Sequence, residues 1–93
     1  MAHLIKLVQA APQDFDSLVL PGAVLVEEMP TEVLSRNIYV DALHKVLLNG
    51  APMLLHLEFQ TKGDREMAQR LLEYNVLATC KYKLPVCSCV LYI

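Results

Sequence analysis

One stretch of this chain constrains its fold more than any other, because it is apolar along most of its length and carries an acid near its end. Residues 54–61 read Leu-Leu-His-Leu-Glu-Phe-Gln-Thr, which is typical of a buried β-strand. Side chains alternate between the two faces of a strand, so Glu58 and Gln60 are predicted on one face and Leu57 and Phe59 on the other. A buried carboxylate needs a partner because an unpaired buried charge is unfavourable, and a divalent cation is one such partner.

A second acid lies in the preceding apolar run. Asp41 stands at the centre of the run Ile-Tyr-Val-Asp-Ala-Leu, residues 38–43. This run is also predicted to be a strand, since it is rich in β-branched and aromatic residues. Two successive strands, each interrupted by one acid, suggest a metal-dependent phosphodiesterase site.

The composition places this site in one small domain, residues 1–93. Hydrophobic residues make up 55% of the chain and the mean hydropathy is +0.37, which favours buried strands over an amphipathic helical bundle. A net charge of −2 and a pI of 5.8 argue against a large passive DNA-binding surface;. They argue less against an enzyme whose metal ions supply local positive charge.

Two sequence features favour a cytoplasmic protein with no membrane partner. No apolar run reaches the roughly 18 residues that span a bilayer, and no signal-peptide pattern is present. The three cysteines, Cys80, Cys87 and Cys89, lack the spacing of a structural zinc site;. They are interpreted as reduced cysteines acting as small hydrophobic residues in a reducing cytosol.

The hydrophobic periodicity predicts six elements in the order α-β-β-β-α-β. In chain order they are a helix over 12–20, strands over 23–29, 38–48 and 53–61, a helix over 65–82 and a strand over 86–93. Residues 2–9 fit either a helix or a short strand. Asn49-Gly50 is a strong hairpin signal that makes the second and third strands antiparallel, with Ala51-Pro52 expected to lengthen the loop.

The apolar positions also predict which faces are buried. The first helix presents Phe15, Leu18 and Val19 at helical spacing. The second helix presents an apolar stripe made of Met67, Leu71, Tyr74 and Ala78. Leu72 and Val76 are expected to widen this stripe. The last strand is nearly continuously apolar, as expected of a strand buried on both faces. Because the chain stops at that strand, we expect a protein truncated at its C-terminus that pairs as a homodimer.

This order, with acids in the second and third strands, resembles the core of the PD-(D/E)XK nucleases. Five segments narrow the resemblance to the recombination-promoting nuclease/putative transposase family: residues 14–15 (Asp-Phe), 30–32 (Pro-Thr-Glu), 40–43 (Val-Asp-Ala-Leu), 57–61 (Leu-Glu-Phe-Gln-Thr) and 67–74 (Met-Ala-Gln-Arg-Leu-Leu-Glu-Tyr). The similarity covers residues 13–93. It implies an α/β fold with a restriction-endonuclease-like core, in which helices flank a mixed four-stranded sheet.

The resemblance also implies catalytic roles. Asp41 and Glu58 would hold Mg²⁺ or Mn²⁺, and DNA would be the substrate. Gln60 would orient the attacking water or contact the scissile phosphate. The superfamily usually has lysine at this position, so Gln60 removes a cation, although glutamine is typical of this family.

Four further residues are candidates for supporting roles. Glu32 is a possible additional acid, and Lys62 could replace the missing ammonium group. Arg70 and Tyr74 lie four residues apart on one helix, so their side chains adjoin, and Arg70 would pair with an active-site carboxylate or a phosphate. The simpler alternative for each is a solvated or structural residue. For His56, a hydrogen-bonded structural histidine is the preferred interpretation.

Two other classes of function stay open. One is a catalytically degenerate nuclease-fold module that binds DNA or a protein partner, which Gln60, the acidic pI and the short length favour. The other is a structural fragment whose strand edges pair in an oligomer, which would fold in a concentration-dependent way. The preferred function is a metal-dependent DNA endonuclease associated with recombination or transposition.

Overall fold

The structure is a computed structural model that describes residues 2–32, 41–60 and 65–92, with side chains from residue 6 onward. Seven elements follow one another along the chain. They are α1 (Ala2–Ala10), α2 (Pro12–Val19), β1 (Ala23–Glu28), β2 (Ala42–Leu48), β3 (Ala51–Gln60), α3 (Met67–Tyr82) and β4 (Val86–Tyr92). The predicted order is confirmed, and residues 2–10 form an additional helix. The part of the second predicted strand before residue 41 lies outside the described residues.

The four described strands form one mixed sheet in the order β1-β2-β3-β4. β1, β2 and β3 form an antiparallel meander, and β4 runs parallel to β3. The parallel pair requires a crossover, which α3 supplies. The protein is therefore an α/β fold with a mixed four-stranded sheet and flanking helices, as the sequence predicts.

The turn between β2 and β3 is tighter than expected. Leu48 pairs with Ala51, so the loop is the two residues Asn49 and Gly50 alone. Their φ angles are 53° and 80°, as a type I′ hairpin turn requires;. The expectation that Ala51 and Pro52 lengthen the loop is wrong, because Pro52 fits within the strand. The nitrogen of Pro52 lies on the edge of β3 that is turned away from β2. β4 pairs with that edge only from residue 54 onward, so no ladder hydrogen bond is lost at Pro52;.

The two faces of the sheet carry separate apolar cores. One core packs beneath α1 and α2, and Phe15 and Phe59 meet there edge to face with ring centroids 5.8 Å apart;. The other packs beneath α3, where Tyr74 and Ala78 contact Leu43 and Leu54 in the strands. Glu58 therefore lies on a strand that both cores cover.

Several predictions about buried faces are wrong. Leu18 is 77% exposed, and Asp16 is buried in its place on α2. In α3, Met67, Tyr74 and Ala78 are buried as predicted, but Leu72 and Val76 are exposed and do not widen the stripe. β4 is half-buried at one edge of the described sheet and is not covered on both faces.

None of the three described helices has both the length and the apolar character needed to cross a bilayer.

Candidate active site

Glu58 lies near the end of β3, on the face that α3 covers. Its neighbours Leu57 and Phe59 are buried at 0% and 2% exposure in the core beneath α1 and α2. The predicted alternation is confirmed, since Glu58 contacts His56 and lies on the opposite face. The Glu58 side chain is 18% exposed, so it is screened from bulk water but still reachable. Strand alternation places Gln60, the last residue of β3, on the same face;.

A chain of hydrogen bonds holds this carboxylate in place. His56 Nε2 lies 3.1 Å from Glu58 Oε1, and His56 Nδ1 lies 2.9 Å from Ser88 Oγ on β4. Asn75 Nδ2 in α3 donates to Ser88 Oγ at 3.1 Å and to the carbonyl of Val86 at 2.8 Å. The interpretation of His56 as a hydrogen-bonded structural histidine is confirmed.

These partners assign the direction of each hydrogen bond. An ionised carboxylate only accepts, so the hydrogen of a neutral His56 ring is on Nε2 and points at Glu58. Nδ1 then accepts from the Ser88 hydroxyl, whose oxygen in turn accepts from Asn75. The network fixes the Glu58 carboxylate through residues of β3, β4 and α3.

Tyr74 covers the same network from α3. Its ring centroid lies 4.4 Å from that of His56, and the residue is 2% exposed. The hydroxyl is buried and has no hydrogen-bond partner among the residues that the structure describes. Burial raises the pKa of Tyr74, and Tyr82 and then Glu58 raise it further. Tyr74 therefore presents a neutral hydroxyl group near the Glu58 carboxylate.

Asp41 is used differently from Glu58. It stands at a bend immediately before β2, and its Oδ2 accepts the backbone N–H of Phe59 at 2.7 Å. Ala42 pairs with Leu57, so one further step of the ladder sets Asp41 opposite Glu58. The Asp41 carboxylate therefore accepts the Phe59 N–H in the way that a backbone carbonyl of β2 would, just beyond the last β2–β3 pair. This hydrogen bond holds Asp41 next to residues 58 and 59 of β3. That the two carboxylates share one cation stays a prediction.

The supporting candidates are less closely grouped. Glu32 is half-buried in an isolated bridge after β1. Arg70 is exposed in the first turn of α3, where Nη2 lies 3.8 Å from Met67 Sδ. Lys62 lies outside the described residues. Among the described residues, no group of three His, Cys, Asp or Glu side chains is placed to hold a metal ion.

Sequence reasoning missed a second polar cluster on the other face of the sheet. His44 in β2 is 3% exposed, and its Nδ1 lies 2.7 Å and 2.6 Å from the two carboxylate oxygens of Asp16, which is 0% exposed. The sequence carries one signal for it, because His44 shares strand parity with the apolar residues Ala42 and Val46, both of which are buried. A histidine on such a face needs a buried polar partner.

Comparisons of the chain with protein-family models, with curated proteins and with solved structures gave no match.

Proposed function

We propose that this chain is the core of a metal-dependent DNA endonuclease of the PD-(D/E)XK type, associated with recombination or transposition. The observation that carries the proposal is the half-buried Glu58 carboxylate, held by His56 near the end of β3 and next to the segment that Asp41 caps. A carboxylate held in a fixed position is suited to a metal or a reacting group. The α/β order of elements and the mixed four-stranded sheet support the proposal, because the sequence resemblance implies a core of that kind.

The donor atoms of this site fit Mg²⁺ or Mn²⁺. The hydrogen bonds described above use Oδ2 of Asp41 and Oε1 of Glu58. Their other oxygens, Oδ1 and Oε2, make no hydrogen bond with a described residue and are suited to a hard cation. Mg²⁺ is commonly held by one or two carboxylates together with water and substrate phosphate, so two carboxylates are sufficient. When bound, the ion would lower the pKa of a water and polarise the phosphoryl oxygen.

The chain's own residues would orient the reacting groups. His56 keeps the Glu58 carboxylate in one orientation, and the Tyr74 ring covers His56 from bulk water. The Gln60 amide, on the same face as Glu58, would hydrogen-bond the attacking water or a phosphate oxygen. Because Gln60 is neutral, charge on the departing oxygen would have to be balanced by other groups.

A second function is favoured by the way Asp41 is used. One of its oxygens already accepts the Phe59 N–H, a structural role that needs no metal. Together with the neutral Gln60, this contact suits a degenerate nuclease-fold module that binds DNA or a protein partner without cutting.

A plasmid-cleavage assay with and without Mg²⁺ or Mn²⁺ distinguishes the two functions. We expect metal-dependent nicking by the wild-type chain and a loss of about a hundredfold or more in Glu58→Gln. Glu73→Gln is the matched control, because Glu73 is an exposed acid on α3, and it should cleave as the wild type does. Metal-independent cleavage, or equal cleavage by Glu58→Gln, contradicts the endonuclease proposal. DNA binding without any cleavage supports the module.

A further inference from the structure

His44 lies between two carboxylates that come from different elements. On one side, the two oxygens of Asp16 in α2 lie 2.7 Å and 2.6 Å from Nδ1. On the other side, Glu28 Oε1 at the end of β1 lies 4.0 Å from Nε2. His44 is 3% exposed and Asp16 is 0% exposed, whereas the Glu28 side chain is 58% exposed. The imidazole is therefore held by Asp16 on the buried side and faces the exposed Glu28 on the solvent side.

The contact with Asp16 decides which ring nitrogen carries the hydrogen. A carboxylate only accepts, so the hydrogen of a neutral His44 ring is on Nδ1 and the lone pair is on Nε2. Nε2 makes no hydrogen bond with a residue that the structure describes. Its distance of 4.0 Å to Glu28 exceeds the roughly 3 Å of a hydrogen bond. The lone pair of Nε2, on a buried side chain, is thus available to bind a metal ion.

His44 and Glu28 both line a pocket of 170 Å³. The polar residues Gln9, Thr31 and Asp41 line it as well. The volume is enough for an ion and several waters. Glu58 and His56 do not line this pocket, whereas Asp41 does, so the pocket adjoins the candidate active site at Asp41 and lies apart from the network around His56.

We propose that His44 Nε2 and the Glu28 carboxylate bind Zn²⁺ in this pocket, with Asp16 orienting the His44 ring. A histidine whose second nitrogen donates to a carboxylate is the usual form of a metal-bound histidine. The nitrogen ligand selects a transition-metal ion over Mg²⁺. Since the site has two side-chain ligands, waters complete the coordination.

The distances are compatible with this ligand pair. Zn–N and Zn–O bonds of about 2.1 Å at a tetrahedral angle set the two donor atoms about 3.4 Å apart. The observed separation is 4.0 Å. Glu28 can close this difference by rotating its side chain, because that side chain is more than half exposed, while the buried His44 stays in place.

Calorimetric titration of the intact chain with Zn²⁺, in excess Mg²⁺ and a non-thiol reductant, tests the proposal. We expect one Zn²⁺ per chain, and binding at least about tenfold weaker in Glu28→Gln. Glu27→Gln, which changes the adjacent exposed acid, should bind as the wild type does. Asp16→Asn should weaken binding by about ten- to a hundredfold, with the exposed Asp14→Asn as its control.

Two further measurements identify the ligands. The ring nitrogens of His44, followed by NMR, should shift on adding Zn²⁺ while those of His56 do not. Glu58→Gln should leave Zn²⁺ binding unchanged, so this site can be refuted or supported independently of the endonuclease.

Three results would overturn the proposal. They are the absence of Zn²⁺ binding, equal binding by Glu28→Gln and wild type, and a thiolate-to-metal absorption band with Co²⁺. The last would assign the ion to Cys87 and Cys89, whose Sγ atoms lie 3.9 Å apart. If Asp16→Asn fails to fold, the comparison of Glu28→Gln with Glu27→Gln still tests the site. Both acids are exposed, so neither substitution should disturb folding;.

Discussion

His56 Nε2 lies 3.1 Å from Glu58 Oε1, two residues further along β3, and the opposite ring nitrogen is held by Ser88 on β4. The acid of the candidate active site is therefore positioned by its own strand and by the parallel neighbour. Ser88 is the link between them, because its hydroxyl also accepts from Asn75 in α3. Disrupting this link should affect both stability and the orientation of Glu58.

We expect Ser88→Ala to lower the free energy of unfolding by about 1 to 2 kcal/mol, because His56 Nδ1 and Asn75 Nδ2 would each lose a partner in a partly buried site. Denaturant unfolding measures this change. Ser17→Ala is the control, since Ser17 is exposed and its hydroxyl donates to the nearby carbonyl of Asp14, and this substitution should change stability by less than about 0.5 kcal/mol. Equal effects of the two substitutions would show that the Ser88 link carries no stability.

Tyr74→Phe should keep or raise the free energy of unfolding, by up to about 1 kcal/mol at pH 8, because it removes a buried hydroxyl that has no partner in the described part of the chain;. Tyr92→Phe, at an exposed position, is the matched control and should be neutral. A destabilisation of more than about 1 kcal/mol by Tyr74→Phe would mean that the hydroxyl forms a stabilising hydrogen bond.

The stability advantage of Tyr74→Phe should grow at alkaline pH. Burial, Tyr82 and Glu58 raise the pKa of Tyr74 in the folded protein, whereas a tyrosine in the unfolded chain has a pKa of about 10. A group whose folded pKa is raised stabilises the protein below the unfolded pKa and loses that contribution as pH rises. Denaturant midpoints at pH 8 and pH 11 measure the effect. A constant difference between variant and wild type would contradict it.

Asp16→Leu should destabilise the protein by about 3 kcal/mol, because it leaves His44 buried without its partner;. Adding His44→Leu should recover most of that loss, since an apolar pair can replace a buried pair of hydrogen-bonded polar side chains. Asp14→Leu, on the exposed side of α2, should change stability by less than about 1 kcal/mol. If the effects of Asp16→Leu and His44→Leu on the free energy of unfolding simply add in the double variant, the two residues are not coupled.

Thiol labelling at pH 8 should separate the cysteines. Burial, followed by Cys87, raises the pKa of Cys89 to about 11, so about one in a thousand of its thiols is ionised at pH 8. Cys80 is exposed and should react first, in a phase that Cys80→Ser removes. Cys89→Ser should remove the slowest phase, and a fast reaction at Cys89 in the native protein would contradict its burial.

The sequence by itself determined the features that depend on near neighbours in the chain. The apolar alternation around Glu58 fixed the two faces of β3, and Asn49-Gly50 fixed the hairpin through their positive φ angles. The helix over Met67–Tyr82 followed from its periodic apolar positions and the proline that follows it. These signals are local, so the order of elements and the position of the candidate acid could be predicted.

Only the tertiary structure decided which distant groups meet. Asp16 and His44 are 28 residues apart, and His56 and Ser88 are 32 apart, so no local pattern pairs them. The same holds for Asp41, whose carboxylate accepts a backbone N–H 18 residues away. A helix with few apolar residues can bury a polar side chain when a complementary group lies opposite, because a hydrogen-bonded pair offsets the loss of hydration. That complement exists only once the sheet and helices are packed together.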